Sequence, residues 1–202
     1  MNATHVKSLS LKTAIIIVIL VLLIDQISKI YVKTHFVIGD YVEVFSWFKI
    51  YFVENEGMAW GAKIPGAYGK LILTLFRLCA IVGIGWWLWD NCKKRAPKVL
   101  ILSIALIFAG AFGNIIDSVF YGVIFNESHS EIATLFPVEG GYGKLLHGKV
   151  VDMFSFSFFD PVFNVADSAI SVGVALLLLF NRSAFPKKKK GDDDSANETT
   201  VA

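Results

Sequence analysis

Four long apolar stretches divide the chain, and polar segments of very different lengths separate them. Each stretch is about twenty residues long, which is the length that an α-helix needs to cross a bilayer core of roughly 30 Å. The pattern therefore predicts four transmembrane helices, at residues 13–33, 71–89, 99–120 and 162–181. The first stretch is apolar on both sides of Asp25 and contains no A-x-A cleavage site, so we expect a retained helix rather than a cleaved leader.

The two long connections, 34–70 and 121–161, differ in pattern. Residues 41–48 and 49–53 alternate and are rich in aromatic and β-branched side chains, which predicts short strands and a small extracytoplasmic β-sheet resting on the membrane surface. Residues 121–161 carry few periodic signals, and we predict a second outer loop with short strands. The expected fold is therefore mainly α, with four membrane helices and a small β-sheet.

The basic residues predict the orientation in the membrane. They cluster before helix 1, between helices 2 and 3, and after helix 4, and cytoplasmic loops are the ones enriched in Lys and Arg. Both termini are then cytoplasmic, and four crossings give the same result by parity. The residues are Lys7, Lys12, Lys93, Lys94, Arg95, Lys98, Arg182 and 187–190.

Composition supports a membrane protein and excludes some partners. The chain is 55% hydrophobic and 18% charged, more apolar than a soluble domain of 202 residues can bury. A net charge of +2, without an interleaved basic face, excludes nucleic acid as a partner. The two cysteines and four histidines lack metal-ligand spacing, so we expect free thiols and no metal. We expect one membrane-embedded domain at 1–182 and a disordered cytoplasmic tail at 183–202.

Polar side chains inside the predicted helices are costly and therefore candidates for function. Their positions along the helices, combined with the predicted orientation, place three pairs near the outer end of the bundle. Asp25 and Lys29 are four residues apart, on one face of helix 1. The other pairs, in helices 3 and 4, are Asn114 and Asp117, and Asn164 and Asp167. This shared depth predicts one polar site just below the outer interface.

Asp152 and Asp167 are the residues that we expect to carry the chemistry. Two neighbouring carboxylates share one proton, so one acts as acid and the other as base. Asp152 reaches the depth of Asp167 only if residues 153–161 fold back. Asp25 with Lys29 is also explained as a structural ion pair, and Asn114 with Asp117 as hydrogen bonding between helices. Arg77 either extends toward water or pairs with one of the acids.

Five motifs in order resemble the lipoprotein signal peptidase family, also called signal peptidase II. They are DQISK at 25–29, ENEGMAWG at 54–61, GNIID at 113–117, GKVVDMF at 148–154 and FNVADSAI at 163–170. The resemblance implies an aspartyl endopeptidase of the bacterial cytoplasmic membrane. Such an enzyme cleaves diacylglyceryl-modified prolipoproteins in the bilayer, just before the lipidated cysteine, with no cofactor.

The resemblance also assigns residues and partners. It implies that Asp152 and Asp167 are catalytic and that the family inhibitor globomycin binds. We expect a monomer. The substrate-binding or supporting residues that the motifs imply are Asp25, Lys29, Asn55, Gly57, Asn114, Asp117 and Asn164.

Two features depart from the family pattern. Ser118 stands where the family usually has arginine, with Arg77 as the candidate replacement, and residues 118–147 form an insertion of unassigned role. The alternatives from other classes are a small proton- or cation-coupled carrier and a non-enzymatic membrane assembly factor. The outer placement of the polar residues and the absence of an internal repeat disfavour a carrier.

Overall fold

A computed structural model describes residues 8–56 and 68–185 of the chain. These residues form a mainly helical protein with one small antiparallel sheet. The elements in chain order are α1 (Leu11–Lys33), β1 (Tyr41–Phe45), β2 (Phe48–Asn55), α2 (Gly69–Lys93), α3 (Lys98–Ile124), β3 (Val150–Phe156), β4 (Phe159–Phe163), α4 (Val165–Leu179) and α5 (Asn181–Ala184).

Three helices, α1, α2 and α3, are long and apolar enough to cross a membrane, and each extends beyond its predicted range at one end or both. The fourth, α4, is apolar but has only 15 residues, about 22 Å at the helical rise. The prediction of a helix over 162–181 was therefore too long. Val162 and Phe163 belong to β4, which pairs with β3, and the Asn164 side chain caps the helix that follows.

Helix α3 lies at the centre of the helical part and packs against α1, α2 and α4. Its residues Ile101, Ile104 and Ala105 are fully buried. By contrast, α1 and α2 leave large apolar side chains exposed along their lengths, for example Leu20 and Phe76. Exposed apolar side chains on these helices suit contact with lipid, because lipid tails are as apolar as the side chains.

The sheet has four antiparallel strands in the order β1-β2-β3-β4. The prediction of strands in the first connection is confirmed, but the break falls at Ser46 and Trp47, so Phe48 starts the second strand. The second connection supplies the other two strands. The hairpin of β3 and β4 folds back as Asp152 requires, and Asp152 pairs with Val53 in β2.

The insertion at 118–147 begins as a continuation of α3. The helix widens into a π-helical turn over Asp117–Tyr121, a feature that occurs frequently at functional sites. The insertion then packs against the end of α1 and against the sheet. The buried residues of this second core are Val32, Phe52, Tyr121, Phe125, Ala133, Val151 and Met153.

At the carboxyl end, the predicted disordered tail begins too early. Ser183 and Ala184 belong to α5, and Ala184 is buried against the core that includes Ala14 and Leu100. Burial of this apolar side chain stabilises the short helix. The prediction missed it because the residues that follow are polar. The rest of the tail, 186–202, lies outside the described residues. Both cysteines are free, as predicted.

Candidate active site

Asp152 lies in the middle of β3, at the point where the sheet meets the helices. Its side chain is almost fully buried, with 3% of the residue surface exposed. Two amide groups donate hydrogen bonds to its carboxylate: Asn164 Nδ2 at 2.7 Å and Asn55 Nδ2 at 3.1 Å. The predicted site residue Asn55 is therefore in direct contact with Asp152, while Gly57 lies outside the described residues.

Asp167 lies in the first turn of α4 and takes part in the capping of that helix. The backbone N–H of Asp167 donates to the Asn164 side chain at 2.9 Å, and the backbone N–H of Asn164 donates to Asp167 Oδ2 at 3.3 Å. Asn114 Nδ2 donates to the other oxygen, Oδ1, at 2.8 Å. This reciprocal capping box fixes the carboxylate at the helix start.

The two asparagines connect the two acids. Asn164 Nδ2 lies 3.1 Å from Asn114 Oδ1, so hydrogen bonds run from Asp152 through Asn164 and Asn114 to Asp167. Asp152 comes from the sheet and Asp167 from α4, and the hydrogen-bonded pair of Asn164 and Asn114 connects them, with Asn164 bound to Asp152 and Asn114 bound to Asp167. The structure thus brings together the two carboxylates that the sequence analysis selected.

Lys29 is the centre of a second, fully buried group beneath the acids. Its ammonium lies 2.9 Å from Asp25, Asp117 and Asn114 Oδ1. A lysine ammonium has three N–H donors, and here each has an acceptor. The predicted pair of Asp25 and Lys29 is present, and Asp117 joins it from α3.

Asp25 and Asp117 also hold the backbone directly before each candidate acid. Asp25 Oδ1 accepts a hydrogen bond of 2.9 Å from the N–H of Ala166, which precedes Asp167. Asp117 Oδ2 accepts one of 3.2 Å from the N–H of Val151, which precedes Asp152. Lys29, between the two carboxylates, therefore fixes both backbone positions relative to each other.

Close helix packing makes this arrangement possible at Gly113. A Cβ atom at this position would lie 2.6 Å from Asp25 Oδ2 and 3.3 Å from the Ala166 side chain. Contacts under 3.0 Å require a neighbour to move, and here that neighbour is a buried, ion-paired carboxylate. Glycine is thus needed for α1, α3 and α4 to meet.

The environment of Asp152 favours a protonated carboxyl group. Burial, and to a lesser extent the nearby charge of Asp167, raise the pKa of Asp152 to about 7. The hydrogen bonds from Asn55 and Asn164 act in the opposite direction, because they stabilise the ionised form. A carboxyl group with a pKa near 7 is suited to donate a proton near neutral pH.

Two cavities meet at Asp152. The first, which we call the apolar cavity, has a volume of about 570 Å³ and contains both acids. Its lining also includes Arg77, Asn114, Phe159, Phe163, Ile170 and Val172. The second, the polar cavity, has a volume of about 490 Å³ and is lined by Ile38, Val53, Glu54, Asn55, Glu56, His129, Lys149, Asp152, Asp160, Pro161 and Val162. Both volumes are typical of ligand-binding sites.

Arg77 lines the apolar cavity rather than extending away from it. Its positive charge is attracted to Asp167 and, to a lesser degree, to Asp152. One guanidinium nitrogen, Nη1, is buried and has no hydrogen-bond partner among the described residues. The structure places Arg77 at the same cavity as the two acids, and its pairing with one of them stays a prediction. Ser118 is fully buried, and its hydroxyl donates to the carbonyl of Asn114 at 3.0 Å.

Sequence reasoning missed several polar residues near the acids. Gln26 donates to Asp25 and Asp117 at 3.1 and 3.0 Å and accepts from the Tyr121 hydroxyl at 3.2 Å. Lys33 is fully buried and pairs with Glu54. Gln26 and Glu54 lie within two of the motifs quoted above, which was the available signal. Lys33 gave no such signal, because a lysine at the end of a predicted membrane helix is ordinary.

The arrangement suits acid–base hydrolysis. Within residues 8–56 and 68–185, no group of three His, Cys, Asp or Glu side chains is placed to hold a metal ion. The hydroxyl of Ser168, beside Asp167, donates to the backbone carbonyl of Asn164 at 2.9 Å. What remains is a buried acid, a second carboxylate and a cavity large enough for a peptide.

Comparison with known proteins gives consistent results. A family model described as signal peptidase (SPase) II matches residues 17–182. A lipoprotein signal peptidase of Porphyromonas gingivalis is 45% identical over 188 residues, covering 83% of this chain and 82% of the relative. One from Amoebophilus asiaticus is 32% identical over 185 residues, covering 83% and 77%.

Solved structures are also similar. A bacterial membrane enzyme determined by the in meso method at 2.3 Å resolution superposes with a TM-score of 0.65 at 28% identity, covering 91% of this chain and 96% of the other. A second, determined at 1.9 Å, has a TM-score of 0.61 at 28% identity, covering 87% and 96%.

Proposed function

The chain belongs to the signal peptidase II family, and we propose that Asp152 and Asp167 are the two carboxyl groups with which this lipoprotein signal peptidase cleaves its substrate. The observation that carries the assignment is the hydrogen-bonded path from Asp152 through Asn164 and Asn114 to Asp167. It holds two acids from different elements at the wall of one cavity.

The chemistry follows from the different surroundings of the two acids. Asp152 carries the proton that the pair shares, because burial and the charge of Asp167 disfavour its ionised form. Asp167 takes a proton from a water molecule, which attacks the peptide carbonyl before the lipidated cysteine. Asp152 donates its proton to the carbonyl oxygen. The tetrahedral intermediate then collapses: Asp167 passes the proton that it took from water to the leaving amine, and Asp152 takes back a proton from the hydroxyl group as the new carboxyl group forms. No cofactor enters this sequence of steps.

The remaining predicted residues act on the geometry of the pair. Asn55 and Asn164 orient Asp152, and Asn114 orients Asp167. Asp25, Lys29 and Asp117 hold the backbone on which the two acids are mounted. We therefore assign Asp25 and Lys29 a structural role, which is one of the two alternatives that their sequence positions left open. Arg77 faces the acids from α2 and supplies the positive charge that Ser118 does not.

For the topology we propose four membrane crossings in the bacterial cytoplasmic (inner) membrane, with both termini cytoplasmic and the site toward the outer face. Three long apolar helices and the distribution of Lys and Arg support this orientation. The fourth crossing is α4, followed without a long break by α5. A short span is accommodated by local thinning of the bilayer or by flanking residues.

The substrate is a prolipoprotein in the membrane, and we propose that its cysteine carries a diacylglyceryl group. The apolar cavity then receives the end of the signal peptide, while the acyl chains of the cysteine stay in lipid. The aromatic and aliphatic lining of this cavity supports the assignment. We propose further that globomycin binds in the same cavity and that the enzyme acts as a monomer.

The decisive experiment replaces each acid by its amide. Purified Asp152→Asn and Asp167→Asn proteins should insert into membranes and lose cleavage of a diacylglyceryl-modified prolipoprotein. Asp90→Asn, at the opposite end of α2 from Arg77, is the matched control and should retain activity with inhibition by globomycin. Full activity in either single variant would contradict the acid pair. A carrier or an assembly factor would show neither cleavage nor inhibition in the unmodified protein.

A further inference from the structure

The polar cavity is not needed to explain the reaction, yet it joins the apolar cavity at the acid. The two cavities share Asn55, Asp152, Pro161 and Val162 in their linings. Beyond these residues they diverge, because one continues among α2, α3 and α4 and the other among β2, the loop after α1 and the insertion. A peptide bond placed at Asp152 therefore has a separate cavity available on each side.

One cavity is lined mainly by apolar side chains and the other by ionisable ones. The two parts of the substrate, before and after the scissile bond, differ in the same way. The apolar cavity is lined on its far side by Phe159, Phe163, Ile170 and Val172. The polar cavity carries ionisable side chains, and His129 and Asp160 at its edge are exposed. A lipoprotein signal sequence ends in the membrane, whereas the chain after its cysteine must leave the lipid for water.

One wall of the polar cavity contains an acceptor without a hydrogen bond. The Glu54 side chain is 3% exposed, and Lys33 pairs with its Oε1. Its Oε2 lies 3.2 Å from Lys149 Nζ but accepts no hydrogen bond of acceptable geometry from the described residues. This oxygen is ion-paired with Lys149 and still has a lone pair that can accept a hydrogen bond from an N–H group of a bound peptide.

The insertion builds this wall. Ser128 Oγ accepts a hydrogen bond of 2.8 Å from Lys33, and the Tyr142 hydroxyl accepts one of 2.7 Å from the backbone N–H of Lys149. Phe125 and Tyr142 also place their rings 5.3 and 5.0 Å from the Lys33 ammonium. Residues of the insertion thus fix the pair of Lys33 and Glu54 and supply His129 to the cavity edge.

We propose that the polar cavity binds the polypeptide segment that directly follows the lipidated cysteine, with Glu54 Oε2 accepting a hydrogen bond from its backbone. This proposal rests on the proposed function, since the cut must occur at Asp152. It gives the insertion a role, which is to form a subsite for the mature part of the substrate. The enzyme then reads its substrate on both sides of the scissile bond.

The test uses two diacylglyceryl-modified peptides with one common signal sequence. One ends as an amide at the cysteine, and the other continues for several polar residues. The unmodified enzyme should cleave both, with a KM for the longer peptide lower by about fivefold or more and a similar kcat. His129→Trp, which narrows the cavity edge, should remove this difference and leave cleavage of the short peptide unchanged.

Val138→Trp is the matched control, because Val138 belongs to the same insertion, is fully exposed and does not line the cavity. It should behave as the unmodified enzyme. Equal KM values for both peptides, or an equal effect of His129→Trp on both, would overturn the subsite while leaving the peptidase activity established. Failure to cleave either peptide would instead reject the proposed function, and the subsite with it.

Photo-crosslinking gives a readout that does not depend on rate. A substrate peptide carries a benzophenone amino acid two residues after the cysteine and is bound to the inactive Asp152→Asn protein. On irradiation it should label β2 or the insertion. The same group placed before the cysteine should label α2 or α4. Labelling of α2 or α4 from both positions would contradict the subsite.

Discussion

The side-chain amide of Asn164 donates a hydrogen bond of 2.7 Å to Asp152 Oδ1. The same side chain accepts from the backbone N–H of Asp167, whose carboxylate accepts in turn from the backbone of Asn164. One residue between the sheet and α4 therefore sets the position of both acids. Its two roles, as helix cap and as donor to Asp152, can be separated by mutation.

Asn164→Ser should keep the cap and lose the donor to Asp152. Serine is a good N-cap residue, so the melting temperature in detergent should change little, whereas Asn164→Ala should cost about 1 kcal/mol more. Both variants should lose activity by about tenfold or more, because the carboxyl group is no longer held. Asn91→Ser, in α2 and distant from the acids, is the control. Loss of activity only in the alanine variant would show that capping alone matters.

The pH dependence of activity should report the protonation of Asp152. Since its pKa is raised to about 7, kcat/KM should fall as the pH rises through about 7, where the acid loses its proton. Asn55→Ala removes a hydrogen bond that favours the ionised form, so the alkaline limb should move to higher pH by about half a unit. Asn126→Ala, at a half-buried position in the insertion that does not contact Asp152, should leave the profile in place. An alkaline limb that moves to lower pH in Asn55→Ala would contradict this assignment of the acid.

The pH dependence of folding stability should report the protonation of Asp152 independently of catalysis. A carboxyl group whose folded pKa is raised above its ordinary value of 3.8 stabilises the folded state fully below about pH 4. That contribution is lost as the pH rises to about 7. Asp152→Asn lacks this term, so its melting temperature relative to the unmodified protein should be higher at pH 8 than at pH 5. A difference that does not vary with pH would contradict the raised pKa.

Gly113→Ala should disturb the site without replacing any of its polar side chains. The added methyl group would lie 2.6 Å from Asp25 Oδ2, so the buried carboxylate must shift and the N–H of Ala166 must follow or lose its partner. We expect activity to fall by about tenfold or more and stability by about 1–3 kcal/mol. Gly83→Ala is the matched control, since nothing lies within 4 Å of its Cβ position. Unchanged activity of the Gly113 variant would show that the close packing tolerates a methyl group.

Arg77→Met should lower kcat/KM by about tenfold, because the positive charge facing the two acids is lost. Arg77→Lys should recover part of the rate. Arg182→Met, in α5, is the control: it removes one positive charge, as Arg77→Met does, but lies outside the cavity. Its kcat/KM should equal that of the unmodified enzyme. Activity equal to that of the unmodified enzyme in Arg77→Met would remove this residue from the site.

Ser118→Arg should not raise turnover, although it restores the residue usual in the family. Ser118 is fully buried, and its backbone carbonyl accepts a hydrogen bond of 2.9 Å from Gly148. An arginine has no room there, so the expected result is a lower melting temperature with no gain in rate. A faster and equally stable variant would show that the family arginine can be accommodated.

Much of the fold was readable because hydrophobic length and alternation are local properties. Apolar stretches of sufficient length predicted the helices, and alternating aromatic residues predicted β1 and β2. The errors lie at boundaries where a tertiary contact decides. Val162 and Phe163 are apolar enough to extend a helix, but pairing with β3 makes them a strand. Ala184 is packed against the core in a helix, although a polar tail follows it.

By itself, the sequence determined that this protein is a membrane protein, because the number and length of its apolar stretches require it. It also selected Asp152 and Asp167 as the acids. Only the tertiary structure decided that Asn164 and Asn114 connect these acids and that Lys29 with Asp25 and Asp117 fixes the backbone before each of them. Those relationships join residues up to 141 positions apart, and hydrogen bonds at such distances along the chain depend on how helices and sheet pack.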